Sequence, residues 1–446
     1  VSTLPKNWSE AKIADVIESF VSIDPKGTPA KMFRYVDISS IDNQTQKIAK
    51  PKKFRGEEAP SRARRVIRKG DTLFSTVRTY LKNIALVPEE LDGELTSTGI
   101  AVLRPNGAVD PHYLFNWVTS NQFVDRVSLT QDGTMYPAVS DRDVAEAAIH
   151  LPPFLEQRRI VARIDSLSAK SRRAREQLDH IPRLVEKYKQ AILAAAFRGE
   201  LLGLSTVQTR MPHALCWDLP SGWHWAPFPE VATIASNLVK PESIPDLPHI
   251  APDNVESGTG KLLEYRTIQE DGVISPKHRF KPGQIIYSKI RPYLRKAIIV
   301  DFDGACSADM YPLQPKANIH TRFLHYWLIS EQFASFTVEH EGRTVLPKIN
   351  QEGLNKTPFP LAPMDAQEEL ARRIRSSFAW IDRLASEAIS ARKLIDRLDQ
   401  AVLAKAFRGE LVPQDPRDEP AGVLLERIRA QHTEPSKPNR KRRRQA

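Results

Sequence analysis

The sequence predicts an α+β fold used twice: two homologous domains separated by two long antiparallel coiled-coil helices, in a pseudo-two-fold internal repeat. Three observations predict it. An ordered series of matched residues recurs about 210 positions apart, two long segments carry an apolar period of 3.5 residues, and the stretches between them hold short β-type runs punctuated by Gly and Pro.

The repeat is clearest at Gln190–Leu201 (QAILAAAFRGEL) and Gln400–Leu411 (QAVLAKAFRGEL), offset by 210 residues. The same offset relates Pro153 and Gln157 to Pro363 and Gln367, Leu114, Trp117 and Ser120 to Leu324, Trp327 and Ser330, and Pro137 to Pro347. With small length changes, Ser75, Arg78 and Tyr80 match Ser288, Arg291 and Tyr293, and Leu4-Pro5…Trp8 matches Leu219-Pro220…Trp223. Chance supplies one such match but not an ordered series. The stretch Lys47–Lys69 has no obvious counterpart in the second half, as expected of a shared scaffold with divergent loops.

Each helix follows from its periodicity. Ile164, Leu167, Ser171, Ala174, Leu178, Ile181, Val185, Tyr188 and Ile192 alternate in steps of four and three. Leu370, Ile374, Ser377, Ile381, Leu384, Ala388, Ala391, Ile395, Leu398 and Val402 repeat the pattern, which is that of a coiled-coil seam. Helices over Gln157–Phe197 and Gln367–Phe407 would each be roughly 60 Å long. Gly199 and Gly409 suit the left-handed residue that ends a helix. Pro182 falls inside the first, where a kink is expected because the seam stays in phase on both sides. Antiparallel pairing within the chain is the reading adopted. Periodicity names no partner, so packing of each helix on its own domain stays open.

The domains read as residues 1–154, a spacer helix at 155–202, a linker and second domain at 203–362, a second spacer helix at 363–412, and a C-terminal helix with a basic tail at 413–446. Thr72–Val77 and Ile285–Ile290 are predicted strands, and Pro111–Ser120 and Thr321–Ser330 short helices.

The chain holds 65 Lys and Arg against 54 Asp and Glu, a net charge of +11, which favours a polyanionic partner. Basic and aromatic residues are interleaved. Nine Lys or Arg lie between Lys50 and Lys69, among them Lys52, Lys53, Arg55 and Arg64 around Phe54. Arg78, Tyr80 and Lys82 follow one strand, and Lys289, Arg291, Tyr293 and Arg295 the other. Such groups could neutralise phosphates or offer paired donors to guanine edges of double-stranded DNA; a solvated, cation-rich loop is the alternative, and the recurrence of the Arg-x-Tyr-x-Lys/Arg loop in both halves favours function. A second loop pair, Gly133–Val139 with Thr134 and Tyr136, and Arg343–Ile349 with Arg343, Thr344 and Lys348, fits a groove-facing role. Gly, Thr and Pro build a plain turn equally well. The run Arg440–Arg444 reads as a disordered tail adding nonspecific phosphate affinity.

Chemistry-bearing motifs are missing. Gly258-Thr259-Gly260-Lys261 lacks the spacing and hydroxyl of a phosphate loop. Asp110-Pro111-His112-Tyr113 and Leu151-Pro152-Pro153-Phe154 each miss the (Asn/Asp)-Pro-Pro-(Tyr/Phe) signature of amino-methyltransferases by one essential residue. Cys216 and Cys306 are far apart and without metal spacing, and the first ten residues are no signal peptide. No apolar run reaches the ~20 residues of a membrane helix. A cytoplasmic, non-catalytic DNA binder without membrane association is expected. A self-contained DNA methyltransferase and a structural coiled-coil scaffold are the alternatives.

Leu151–Leu167 (LPPFLEQRRIVARIDSL), the two Ala-Phe-Arg-Gly-Glu-Leu endings, Gly70-Asp71-Thr72-Leu73 and the two-half plan resemble Type I restriction–modification specificity subunits over nearly the full chain. That resemblance implies two target-recognition domains reading a split DNA sequence, with the helices fixing the gap. It implies two methylation subunits and further restriction/translocase subunits as partners. S-adenosylmethionine, ATP and Mg would sit on those partners, with no cofactor on this chain. Phe197, Arg198, Phe407 and Arg408 at the helix ends are the candidate partner contacts, with helix termination and local packing as the alternative. Ala366 departs from the acid at the matching Glu156.

Overall fold

The computed structural model describes residues 4–129, 137–209, 212–338 and 347–433. They form two units. One comprises residues up to Gln177 together with those from Ala391 onward, and the other Leu178–Ser390.

In the first unit, Ser9–Lys12 pairs antiparallel with Ala148–Leu151. One four-stranded sheet runs Ile17–Glu18, Ile100–Pro105, Thr72–Ser75, Ile84–Leu86. A second runs Lys52–Arg55, Met32–Val36, Leu95–Ser97, Ala63–Val66, with Leu95 and Thr96 parallel to Tyr35 and Val36. The second unit repeats this plan. His224–Pro227 pairs with Pro358–Leu361, and Ala232–Ile234, Met310–Pro315, Ile285–Ser288, Ala297–Ile299 form the matching sheet. Its other sheet runs Leu238–Val239, Lys277–Phe280, Gly304–Cys306, Pro248–Ile250, Arg266–Thr267, again with one parallel pair in the interior. Lys52–Arg55 therefore has a counterpart in Arg266–Thr267. The expectation that Lys47–Lys69 lacks one is corrected: topology is kept where residue identity is not.

Two polar devices explain recurring residues. The buried Gln157 side chain accepts from the Asp110 N–H (2.7 Å) and donates to the Ala108 (3.1 Å) and Pro152 (3.0 Å) carbonyls. Gln367 does the same with His320 N–H (2.9 Å) and the Asn318 (3.1 Å) and Ala362 (2.8 Å) carbonyls. Each glutamine thus ties the start of a long helix to the start of the short helix Pro111–Thr119 or Thr321–Leu328 and leaves none of these buried groups unpaired. The second device differs between units. Asp71, just before the strand Thr72–Ser75, and Arg104, on the neighbouring strand, form a buried forked ion pair at 2.9 and 2.7 Å. At the matching positions Gln284 donates to Gln314 at 3.2 Å.

The first long helix is not the single rod expected. It divides into Phe154–Asp179 and Ile181–Phe197. His180 keeps helical angles (φ −81°, ψ −17°), and Pro182 in the next first turn has no N–H to donate backwards. The helical ladder loses a hydrogen bond there, and His180 alone separates the two segments. The second helix is continuous from Met364 to Ala406.

Each unit contains parts of both long helices, running in opposite senses. In the first unit Ser171 meets Asp399 (2.6 Å), and Arg175 meets Asp396 (2.9 Å). In the second, Lys189 meets Asp382 (2.6 Å) and Arg373 reaches the Leu201 carbonyl. The seam is wetter than its periodicity suggests: Ile164, Ile374 and Ile381 are buried, but Tyr188, Leu384 and Leu398 are exposed.

The helix ends close the cores. Phe407 is buried against Tyr113 and Trp117 (centroids 5.6 and 4.8 Å) in the first unit. Phe197 is buried against Phe323 and Trp327 (5.1 and 4.8 Å) in the second. Gly409 (φ +77°) leaves room for Pro5, and Gly199 (φ +75°) for Pro220; a Cβ would come within 2.4 and 2.3 Å of those rings. This close approach accounts for the repeated Leu-Pro…Trp motif. The C-terminal helix Ala421–Thr433 adds Ala421, Leu425 and Ile428 to the first core.

Candidate nucleic-acid interface

In each unit a strand ends in a turn held by two left-handed residues. Arg78 (φ +49°) and Lys82 (φ +52°) bracket Thr79–Leu81, and Arg291 (φ +47°) and Arg295 (φ +52°) bracket Pro292–Leu294. Among the described residues only Gln46 shares this conformation without being glycine. It costs a long side chain roughly 1–3 kcal/mol, and its recurrence at four matched cations marks a constrained site. The turns expose Arg78 with Tyr80, and Arg291 with Tyr293.

The second loop pair meets these turns in both units. The Arg78 N–H donates to the Pro137 carbonyl (2.8 Å) and that of Arg291 to the Pro347 carbonyl (2.7 Å). Val77 bridges Ala138, and Ile290 bridges Lys348. Thr134, Tyr136, Arg343 and Thr344 lie outside the described residues, as does Arg440–Arg444. A hairpin completes each cluster. Asn43, between Ile41–Asp42 and Lys47–Ile48, donates to the Leu81 carbonyl (3.0 Å). Gly258, beside the Val255–Leu262 bridge, donates to the Arg295 carbonyl (3.2 Å). Gly258-Thr259-Gly260-Lys261 is that hairpin's turn. Asn43 carried no sequence signal, since a lone asparagine in a turn is common.

Several expected contacts are corrected. Lys82 turns inward, donating to the Thr119 carbonyl (3.0 Å) and to Asn121, and burial lowers its pKa. Arg295 pairs with Glu186 at 2.6 Å and Glu331 at 3.9 Å, its side chain 15% exposed. Both anchor their turns. Phe197 and Phe407 are fully buried core residues, so neither ring offers a partner surface. Arg198 and Arg408 are exposed. Arg198 lies over the Trp217 ring, and Arg408 forks onto Glu410 at 2.8 and 2.9 Å.

The remaining cations sit elsewhere. Lys52, Lys53 and Arg55 project from an edge strand, Lys52 pairing with Asp37 and Arg55 loosely with Glu57 (3.9 Å). Arg64 pairs with Asp24 at 2.7 Å. Its neighbour Arg65, passed over in sequence, is 12% exposed and forks onto Asp141, just beyond the Pro137 loop. The near-miss methyltransferase motif is a helix cap: Asp110 accepts from the His112 and Tyr113 N–H groups (2.9 and 3.2 Å). Among the described residues no group of three or more His, Cys, Asp or Glu could hold a metal ion, and no helix is long and apolar enough to cross a membrane.

The chain was compared with known proteins. A family model for the Type I restriction modification DNA specificity domain matches residues 250–387. The Type I restriction enzyme EcoDI specificity subunit of Escherichia coli is 38% identical over 330 residues, covering 69% of this chain and 74% of that protein. The StySPI specificity subunit of Salmonella potsdam is 25% identical, covering 74% and 73%. The crystal structure of the HsdS subunit from Thermoanaerobacter tengcongensis aligns with a TM-score of 0.62 at 30% identity, covering 92% of this chain and 98% of that one. A structure from work on complex assembly and conformational transition of the type I R-M system aligns with a TM-score of 0.70 at 29% identity, covering 92% and 100%.

Proposed function

Because the chain belongs to the family of Type I restriction enzyme specificity subunits, we propose that it reads a bipartite DNA sequence for a complex whose chemistry resides in other subunits. Residues 1–154 and 203–362 supply the reading domains, and the long helices set the gap between half-sites. Two methylation subunits bring S-adenosylmethionine, and restriction/translocase subunits bring ATP and Mg. The observation that carries this reading is the twinned turn. An exposed Arg and Tyr stand at the same left-handed corner in each unit, among loops whose residues otherwise differ. Common corners would dock on DNA alike while the differing loops select different bases.

The test separates the halves. With the assembled complex, Arg78→Ala is expected to weaken binding about 10- to 100-fold through one half-site, and Arg291→Ala through the other, the range of a paired-donor contact. Gel shifts on probes scrambled in one half-site measure it. Equal losses on both halves contradict the reading.

Partner docking is assigned to the helix faces. In the second unit, Ile181, Leu184, Tyr188, Trp380 and Leu384 line an apolar groove of about 770 Å³, and Trp380 is 64% exposed. A helix of a methylation subunit is the proposed occupant, its apolar stripe laid along the groove. Trp380→Asp with Tyr188→Asp is expected to abolish co-purification of that subunit while leaving the thermal transition of the isolated chain within a few degrees. Unchanged co-purification removes the groove from the interface.

A further inference from the structure

The second unit carries a pair of lysines that the first lacks, at places the backbone identifies. The Val139 N–H donates to the Thr76 carbonyl and the Ile349 N–H to the Lys289 carbonyl, both at 2.9 Å, so Thr76 and Lys289 are equivalent. The bridges Val77–Ala138 and Ile290–Lys348 make Ala138 and Lys348 equivalent. Gly99 accepts from the Thr76 N–H at 3.1 Å and Asp309 from that of Lys289 at 3.0 Å. Three small uncharged residues in one unit thus face two ammoniums and one carboxylate in the other.

Among the described residues the charges do not balance. Lys348 lies 3.4 Å from Asp309, a long contact with both side chains over 40% exposed. The Lys289 ammonium lies 4.7 Å above the Tyr311 ring, with no ion pair among the described residues. Burial first, and then the charge of Lys348, lowers its pKa. On the adjoining sheet the buried His278, with Nδ1 3.3 Å from Ser236 Oγ, is held below the usual imidazole range by burial and by Lys289, which favours its neutral form. Lys289 is two residues from Arg291, at the foot of the exposed turn. A half-buried excess of positive charge among the described residues, beside a DNA-facing corner, attracts an anion.

We propose that Lys289 and Lys348 form a binding site for one DNA backbone phosphate, present in the second unit and absent from the first. The site rests on the DNA-reading function proposed above. Such a contact fixes position on the duplex without reading bases, so the two units grip their half-sites by unequal means.

The first unit shows that this loop geometry accepts Thr and Ala, so Lys289→Thr with Lys348→Ala is the variant to use. In the assembled complex, on a target mapped by methylation sequencing, log affinity is measured against log salt. The slope is expected to fall by about 0.9 for each phosphate no longer neutralised. A series of single neutral methylphosphonates across the second half-site should reveal one position that weakens the wild type and has no further effect on the variant. The reciprocal variant, Thr76→Lys with Ala138→Lys, is expected to steepen the slope and carries the test if the first variant fails to fold. An unchanged slope in both, or methylphosphonate losses that simply add to those of the variant, overturns the phosphate site while leaving sequence reading intact. Wild-type complex without sequence-dependent binding overturns the reading function as well.

Discussion

Asp71→Ala is expected to destabilise the first unit by about 3–5 kcal/mol, because it leaves Arg104 charged and buried without its partner. The Arg104 side chain is 6% exposed and that of Asp71 1%, and Asp71 also accepts the Arg68 N–H at 2.7 Å. The second unit supplies the rescue. Gln284 takes the matching turn contact from the Lys281 N–H at 2.9 Å and donates to Gln314. Asp71→Gln combined with Arg104→Gln should therefore recover most of the loss, since a neutral hydrogen-bonded pair strands no charge. Urea denaturation followed by tryptophan fluorescence checks both. A single variant within about 1 kcal/mol of wild type, or a double variant as unstable as the single, would show that the pair is not what closes this sheet.

Phe407→Ala should cost about 3–5 kcal/mol, the range for emptying a buried phenylalanine site. The location of the damage matters more than its size. Phe407 touches Tyr113 and Trp117, and its carbonyl lies 3.1 Å from His150 Nδ1. Amide exchange should rise in Pro111–Ser128 and Ala148–Leu151 while Thr321–Val338 stays protected. Phe197→Ala should do the reverse, because that ring packs on Phe323 and Trp327. Loosening of the same residues by both substitutions would contradict the assignment of each helix end to its unit.

These contrasts show what the sequence carries. The duplication, the long helices, the short helices at Pro111 and Thr321 and the glycine stops were legible because they rest on local rules of period, capping and left-handed backbone. The turns around Arg78 and Arg291 were found because they occur twice. Tertiary partnership was not legible. An apolar heptad does not say which ring its last phenylalanine meets, so Phe197 and Phe407 read as surface contacts and proved to be core. A lysine or arginine after a tyrosine reads as a ligand for phosphate, yet Lys82 and Arg295 are spent on helix termini and carboxylates. The counterpart of Lys52–Arg55 was hidden for another reason. An exposed edge strand constrains backbone pairing and hardly constrains side chains, so matched strands can share a topology and no residues.

The helix-end arrangement also bears on biosynthesis. The first core needs Val402, Leu403, Ala406, Phe407 and Leu425, all encoded downstream of the whole second unit. A ribosome adding about 5–20 residues per second takes roughly 10–50 s to pass from the first long helix to that segment. During that interval the nascent chain holds Tyr113 and Trp117 beside an empty berth, a target for chaperones or for illicit association, until that segment emerges to fill it.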